Sequence, residues 1–457
     1  MSEKPATRNF ASDSTVDVSQ LEGALTQDDP DLASSAKTEG QATGPPPTSA
    51  TFPEGGMRAW IVVIGAWLLQ FTTFGLVNAY GAFNDFYVRE YLSDKSSSDI
   101  GWIGSLQVAL LLGVAGFAGP LFDKGYLHLL VVPGSLIFVV CSFMLSLTKP
   151  QQYYQVSFCL MGSELDWVLA WYIFRASVLS RITSRKKTPV VLAIVSTGGS
   201  LGATLHPIMI NRLIASLGFH DAVRVNAAMN AALLVVANLV IKTRLPPRPP
   251  TKNIVKKIFL DGPYDTALFG GLLMLIGLYF PIFFIQLNSV THGVDANLAL
   301  YTVSIIQAAS TFGRILPQLT HKFISFPWLL IFCTAANAVL IFTFETVQNL
   351  AGTICFTILY GFFSGGALSL IPAFFAMFAT DVTEVGGRIG FGLLLGALGA
   401  LVGLPIDGAL LSHHGGTQTT YVWWRPSVFS GAILSASATA YLLAFIANYT
   451  KKKKAQA

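Results

Sequence analysis

The chain has 457 residues, of which 53% are hydrophobic and only 12% are charged, and its formal net charge is +5. Its mean hydropathy is +0.57. Soluble globular proteins carry about 25% charged residues, so this chain has too few charges to cover a surface that faces water. The composition argues against a soluble protein and indicates an integral membrane protein.

Residues 1–52 differ from the rest because they are polar, acidic and rich in Ser, Thr, Gly and Pro. They contain no apolar core of the length found in a signal peptide, and they lack the Arg-rich character of a mitochondrial presequence. A segment of this composition buries too little apolar surface to fold. We therefore predict a disordered cytosolic tail, and the first membrane span must act as its own insertion signal.

Twelve apolar stretches follow the tail. A helix needs about 20 mostly apolar residues to cross the hydrocarbon core. We number the stretches that meet this condition as spans 1 to 12: 60–83, 101–119, 127–147, 154–178, 189–210, 222–242, 264–287, 295–319, 326–345, 349–379, 388–411 and 426–448. The sequence therefore predicts an all-α membrane protein with twelve transmembrane helices.

Lys and Arg collect on one side of these spans, and such a bias marks the cytosolic side. One set of loops and span ends holds eighteen of them: Arg58, Lys124, Arg181, Arg185, Lys186, Lys187, Lys242, Arg244, Arg248, Lys252, Lys256, Lys257, Lys322, Arg388 and Lys451 to Lys454. The opposite set holds six: Arg89, Lys95, Lys149, Arg212, Arg224 and Arg425. Both termini are therefore predicted to be cytosolic, with the plasma membrane as the expected location.

The longest internal polar segment, 243–263, is basic and proline-rich. It divides the chain into two six-helix halves, 53–242 and 264–448, and leaves a lysine-rich cytosolic tail at 449–457. A 6+6 arrangement with a substrate site between the halves is a known design of secondary transporters. Composition alone also permits a channel or a multi-span enzyme.

Several motifs bear on this choice. "PEGGMRAW" (53–60) precedes span 1, "GPLFDKG" (119–125) joins spans 2 and 3, and "SRKKTPVVLAIVSTGGSLGATLHP" (184–207) leads into span 5. Span 8 contains "SIIQAASTFGRILPQL" (304–319), and a series of Gly and Pro residues runs through spans 10 and 11. Together these motifs resemble those of the major facilitator superfamily, and within it the fungal monocarboxylate-porter-like transporters.

The resemblance covers about 54–448. It implies a major facilitator fold, alternating access, a small organic anion as cargo and a monomeric protein. Proton-coupled animal members carry a lysine in span 1 and an aspartate one turn before an arginine in span 8. Here Asn78 stands at the lysine position and Ser310 at the aspartate position, whereas Arg314 is retained. Coupling through that lysine–aspartate pair is therefore not expected.

Arg314 is the only charged residue between Ala296 and Leu319. Ionisable residues inside a membrane usually face a cavity and are candidates for function. A guanidinium keeps its charge in proteins, which leaves two uses. It holds an anionic cargo in a bidentate grip, or it pairs permanently with an acid elsewhere in the bundle. We favour a role in cargo binding or coupling, together with Asn78 and Ser310.

Glu164 and Asp166 interrupt span 4. One of them is a candidate proton carrier if span 4 is embedded in the membrane; alternatively, the helix is kinked or shifted and its acids lie in water. The resemblance also implies a cytosolic gate at Asp123, Lys124 and Arg185. The alternatives are a solvated turn for the first two and a topology-determining loop for Arg185.

Two more ionisable residues lie in the spans. Asp407, close to the end of span 11, is predicted to lie at the membrane interface. His206 is predicted to be an ordinary hydrogen-bonded histidine at a helix end, although it could titrate near neutral pH.

The sequence contains no Walker loop, HExxH or GxSxG motif and no paired cysteines. We therefore expect no enzymatic activity, no cofactor, no metal and no nucleic-acid partner, and we expect transport to be driven by a gradient.

The leading hypothesis is a secondary active transporter that moves a small organic acid or an acid-bearing metabolite, with a slight preference for efflux. The alternatives are uptake of a nutrient or vitamin by the same fold, or a solute receptor that signals through its acidic tail.

Overall fold

The structure is a computed structural model, and it describes residues 57–123, 127–150, 152–162, 188–241, 261–320, 324–379, 382–415 and 418–456. Within these ranges every long element is a helix. The predicted tail 1–52 and most of the predicted linker 243–263 lie outside the described residues.

Each predicted span coincides with at least one helix. In the first half the helices are Met57–Asn78 and Tyr80–Phe86 in span 1, Ser97–Asp123 in span 2, Leu127–Leu145 in span 3, Tyr153–Gly162 in span 4, Thr188–Leu217 in span 5 and Phe219–Val240 in span 6. Span 1 ends in a π-helical turn, Tyr87–Tyr91. Span 4 is described only as far as Gly162.

The second half repeats this arrangement. Its helices are Gly262–Gly277 and Tyr279–Thr291 in span 7, Ala296–Ala299 and Thr302–Thr320 in span 8, Phe326–Phe342 in span 9, Leu350–Ala376 in span 10, Val382–Leu411 in span 11 and Trp424–Gln456 in span 12. A short 3-10 helix, Phe344–Thr346, follows span 9. Six helical stretches of the described chain are long and apolar enough to cross a membrane. The prediction of an all-α membrane fold is confirmed.

Two features depart from the prediction. A small antiparallel hairpin, β1 (Ser412–Gly415) and β2 (Gln418–Tyr421), connects spans 11 and 12. Threonine and tyrosine favour extended backbone, and three of them follow one another in β2. The helix of span 12 also continues through the lysine run, which was predicted to be a separate tail, because lysine is a good helix former.

The β-hairpin and the lysine run lie at opposite ends of the helix of span 12, and we use them to distinguish the two ends of the bundle. We call the end that carries the β-hairpin the hairpin end, and the end that carries Lys451 to Lys454 the lysine end. Odd-numbered spans run toward the hairpin end and even-numbered spans run away from it. Spans 2 and 11 show this opposition, since Gly101 meets Leu404 whereas Gly113, further along span 2, meets Ala397.

Glycines let helices within each half touch through their backbones. A Cβ atom added at Gly202 of span 5 would overlap the carbonyl oxygen of Phe71 in span 1. Between spans 7 and 11, a Cβ added at Gly399 would overlap the carbonyl oxygen of Leu272 in the same way. Small residues four apart are typical of such close contacts in membranes, so the glycine pairs at 198/202 and 399/403 serve packing.

Spans 1 and 7 each contain a one-residue irregularity at corresponding places in the two halves, and we call these irregularities breaks. In span 1 the break lies at Ala79, where the side chain of Asn78 donates to the Phe74 carbonyl oxygen over 2.9 Å. Such side-chain bonds compete with the helical backbone ladder. In span 7 the break lies at Leu278, three residues before Pro281, which has no N–H to continue the ladder. Both spans continue through their breaks, because Ala79 and Leu278 keep helical dihedral angles and still donate to the carbonyl oxygen four residues before.

The glycine contacts give a first prediction. Gly202→Ala should lower the free energy of unfolding by about 1–3 kcal/mol, because the added methyl group forces the backbones of spans 1 and 5 apart. Gly390→Ala is the matched control: its added methyl group would meet no described atom within 4 Å. Thermal unfolding of both variants in detergent checks this, and equal stabilities would contradict the packing role of Gly202.

Candidate functional site

Arg314 lies in span 8 and points across the boundary between the two halves. Its guanidinium carbon sits 4.8 Å from the centre of the Phe74 ring in span 1. No acid among the described residues forms an ion pair with it, and its Nε has no hydrogen-bond partner there. A cation over an aromatic face gains some electrostatic stabilisation, but this does not replace a counter-charge. Arg314 is therefore a half-buried cation that lacks an anion in the described part of the chain.

The predicted partner Asn78 lies one helical turn after Phe74 and also contacts span 8. Gln307, two helical turns before Arg314 in span 8, donates through Nε2 to the Asn78 carbonyl oxygen over 3.4 Å and to its side-chain oxygen over 3.3 Å. These bonds join the break in span 1 to span 8 and cross from one half to the other. Gln307 was not predicted to take part in the site.

Tyr279 of span 7 completes the surroundings of Arg314. It is the first residue after the break at Leu278, and it is buried and close enough to Arg314 for an electrostatic interaction. The breaks of spans 1 and 7 and the cation of span 8 thus converge. We take Arg314, Asn78, Gln307, Phe74 and Tyr279 as the candidate site and call it the central site.

Ser310 lies where spans 8 and 10 meet. A Cβ atom added at Gly365 of span 10 would lie 2.5 Å from the Ser310 hydroxyl oxygen. The hydroxyl therefore packs at the contact of spans 8 and 10, inside the second half. A direct contact between Ser310 and cargo stays a prediction, and the central site is built without it.

The remaining predicted site residues fall at or beyond the limits of the described chain. Glu164, Asp166, Lys124 and Arg185 lie outside the described residues. Asp123 is the last residue of the span 2 helix, and only its backbone belongs to the described part. The proposed proton carrier in span 4 and the cytosolic gate stay predictions.

His206 belongs to a buried chain of polar side chains between spans 1, 5 and 6. Its Nε2 lies 3.3 Å from the Phe71 carbonyl oxygen, and its Nδ1 lies 3.3 Å from the amide nitrogen of Asn226. Asn230 donates in turn to Asn226 over 2.7 Å. The predicted hydrogen-bonded histidine is thus found, although inside the first half and away from the helix ends.

At the hairpin end a second polar group joins the halves, and we call it the hairpin-end network: Asp85, Arg89, Asn211 and Gln286. Arg89 donates to the Asp85 carboxylate over 2.6 Å, and Gln286 of span 7 donates to the other carboxylate oxygen over 2.9 Å. Asn211 of span 5 donates to Gln286 over 3.4 Å. Asp85 is only 1% exposed. The network closes the hairpin end by linking spans 1, 5 and 7.

The β-hairpin lies next to this network. Burial, together with the nearby Asp85 carboxylate, raises the pKa of the Tyr421 phenol, whereas Arg89 acts in the opposite direction. Tyr421 therefore stays a neutral hydrogen-bonding group at physiological pH. Arg212 and Tyr301 add a further contact between the halves here, with the guanidinium donating to the phenol oxygen over 2.7 Å.

At the lysine end a charge cluster ties the second half together. Buried Arg388 donates to Asp261 over 2.8 Å and lies 3.6 Å from Glu384, and Lys451 contacts the other oxygen of Asp261 at 2.9 Å. The Arg388 guanidinium also covers the Tyr264 ring at 4.8 Å. Unlike Arg314, this arginine has its anions in place.

The prediction for Asp407 is wrong. The residue is 0% exposed and lies inside the second half, where one carboxyl oxygen accepts a hydrogen bond from Ser430 over 2.8 Å. Neighbours from spans 2, 10 and 12 lie around it, whereas Ile406, the preceding residue, is 38% exposed. Its position in the sequence near a span end did not reveal this burial.

Comparison with known proteins places this geometry in a family. The profile described as Major Facilitator Superfamily matches residues 59–349. The MFS-type transporter dbaD of Emericella nidulans is 37% identical over 394 residues, which cover 84% of this chain and 87% of that protein. The aspyridones efflux protein apdF of the same organism is 33% identical over 395 residues, covering 86% and 80%.

A solved structure of similar fold is that of the nucleoside transporter NupG, with a TM-score of 0.64 and 14% sequence identity. The match covers 85% of this chain and 99% of that one. At this identity the likeness concerns the fold alone.

The unpaired state of Arg314 gives a second prediction. Arg314→Met should raise the thermal stability of the purified protein, because it removes a half-buried charge without an anion and keeps the apolar stem. Arg388→Met is the matched control. Its free energy of unfolding should fall by about 3–5 kcal/mol, because Asp261 and Glu384 lose the guanidinium that compensates their charge. Thermal unfolding in detergent distinguishes them. If Arg314→Met is destabilised as much as the control, Arg314 has a permanent partner outside the described residues.

The hairpin-end network gives a third prediction. Asp85→Asn should weaken the bonds to Arg89 and open the hairpin end more often, because hydrogen bonds to charged groups are stronger than neutral ones. The reporter is a cysteine in place of buried Ser97 on a Cys355→Ser background, labelled with a maleimide. Labelling should become severalfold faster. Asp221→Asn, which removes an exposed ion pair with Arg224, should leave the rate unchanged. An equal effect of both variants would refute the role of the hairpin-end network in closing that end.

Proposed function

Because the chain belongs to the major facilitator superfamily, we propose that it exports a small organic acid or an acid-bearing metabolite by alternating access. It is a multi-pass membrane transporter of small molecules, and it is not an enzyme. Within the superfamily, the motifs of spans 1, 8, 10 and 11 support a place among the fungal monocarboxylate-porter-like transporters.

The observation that carries the proposal is the cation of the central site. Arg314 stands between the halves, beside the breaks of spans 1 and 7, with no acid of the described chain paired to it. A carboxylate or an enolate of the cargo would supply the missing charge and accept two parallel hydrogen bonds from the guanidinium. Phe74 and Tyr279 would offer apolar and aromatic surface to the rest of the molecule.

The direction of transport rests on different support. Relatives that match most of this chain are named for the efflux of aspyridones and, in Paecilomyces divaricatus, of agnestins. The excess of Lys and Arg supports a cytosolic lysine end, with both termini inside and the hairpin end outside. A closed hairpin end then leaves cargo to enter from the cytosol, which is the loading state of an exporter. We place the protein in the plasma membrane as a monomer.

Export of an acid is tested by deleting the gene for this protein in its own organism. The deletion strain is then complemented with the gene for the parent protein or for Arg314→Met. Mass spectrometry should show an acidic metabolite that disappears from the medium and accumulates in deletion cells. Parent protein should restore its export and Arg314→Met should not. Arg314→Lys should restore it poorly, because lysine keeps the charge but lacks the planar fork.

The other outcomes separate the alternatives. A solute that accumulates in the medium of deletion cells would show uptake. Loss of only neutral compounds from the medium would refute the anionic cargo. An unchanged distribution of all solutes would contradict transport and favour a receptor.

A further inference from the structure

We propose that Asp407 is a proton-binding site whose occupation favours closure of the hairpin end. The inference rests on the proposed transport function and adds to it a residue that would respond to the proton gradient. In this step a hydronium ion at the hairpin end gives a proton to the Asp407 carboxylate: one O–H bond of hydronium breaks, one O–H bond forms on the carboxyl group, and water is left.

The surroundings of Asp407 are those of a neutral carboxyl group. Oδ1 accepts the hydrogen bond from Ser430 of span 12, and Oδ2 has no hydrogen-bond partner among the described residues. No Lys, Arg or His of the described chain forms an ion pair with it. A buried carboxylate without a counter-charge is costly in free energy, so the dry, closed site favours the protonated form.

Each helix packed around Asp407 contributes uncharged groups. Tyr360 of span 10 faces it, but its hydroxyl is already committed to the Leu278 carbonyl oxygen at 2.6 Å. Span 12 contributes the Ser430 hydroxyl, and span 2 contributes Ser97 and Ser98 at the neighbouring seam. The charged group of span 2 nearest to this seam, Asp99, is exposed and hydrogen-bonded to Ser96. None of these groups is a cation.

The residues on either side of Asp407 form the seam between the halves. Ser98 donates to the Pro405 carbonyl oxygen over 2.8 Å, and a Cβ atom added at Gly408 would overlap the Ser97 carbonyl oxygen. The hairpin end cannot open unless this seam parts. Parting admits water beside Asp407, and water stabilises the ionised form.

Proton binding and closure are coupled because the closed form favours protonated Asp407 and the open form favours ionised Asp407. If the closed form binds the proton more tightly than the open form, a lower pH must shift the population toward closure. In the proposed orientation, a proton taken up from outside would close the outer end after cargo has left. Asp407 forms no ion pair with Arg314 in the described structure; the connection to the central site runs through Tyr360, whose hydroxyl donates to the Leu278 carbonyl oxygen beside Tyr279.

The test needs no cargo. A maleimide reacts with Ser97→Cys on the Cys355→Ser background at a series of pH values, and each rate is divided by that of protein unfolded in SDS at the same pH. In the parent, labelling should increase with pH, by at most about tenfold per pH unit for a single proton. Asp407→Asn, which imitates the protonated form, should label slowly at all pH values.

Two further variants sharpen the result. Ser430→Ala removes the donor that stabilises the carboxylate, so the midpoint of the labelling profile should move to higher pH by about one unit. This variant keeps the proposal testable if Asp407→Asn does not fold. Asp85→Asn should label faster than the parent but retain the pH dependence, because its network is separate from Asp407.

A parent whose normalised labelling does not vary with pH would overturn the proposal. So would an Asp407→Asn variant with the pH dependence of the parent, or a Ser430→Ala profile with an unmoved midpoint. Each of these results would leave the export experiment untouched, since that experiment depends on Arg314. Conversely, a failure to find an exported acid would not alter the labelling profile.

Discussion

Amide side chains join the two halves of this protein, and their hydrogen bonds determine how the bundle can move. Within each half, helices meet through glycine backbones at distances that leave no room for a methyl group, and Gly101 and Gly408 bring spans 2 and 11 of opposite halves together in the same way. Between the halves, Asn84, Asn211, Gln286 and Gln307 supply many of the contacts. Water can replace an amide hydrogen bond at little net cost, whereas opening a close-packed interface sacrifices its dispersion contacts. The amide contacts between the halves are thus easily exchanged for water, whereas the glycine seam of spans 2 and 11 loses dispersion contacts when it opens.

Arg388, Arg314 and Asp407 differ in whether a group of opposite charge accompanies them. Arg388 has its acids, Arg314 lacks one among the described residues, and Asp407 lacks a cation there. Inside a membrane, a charge without a counter-charge costs free energy. Such a residue is therefore expected where a mobile ion of opposite charge can bind to it. The two incomplete sites point to different mobile charges. One suits an anion and the other a proton, and they lie in different parts of the bundle.

Much of the fold could be predicted because hydropathy and glycine spacing are local signals. All twelve spans coincide with helices, and Arg314 stands out since no other charge accompanies it. The sequence does not reveal which distant polar residues meet. Gln286 and Asp85 are 201 positions apart, and nothing in either segment indicates the partner. The burial of Asp407 and the packing position of Ser310 also depend on neighbouring spans. The β-hairpin was missed because four-residue strands give too short a pattern to recognise.

The last helix reaches well beyond the membrane. Its 33 residues give a length of about 50 Å, compared with ~30 Å for the hydrocarbon core of a bilayer. Lys451 holds the projecting part against Asp261 at the start of span 7. A partner protein fused in frame to this helix would be carried on a stiff rod and not on a flexible tether. The helix therefore offers a rigid handle for a marker large enough to orient single particles of this small membrane protein in electron microscopy.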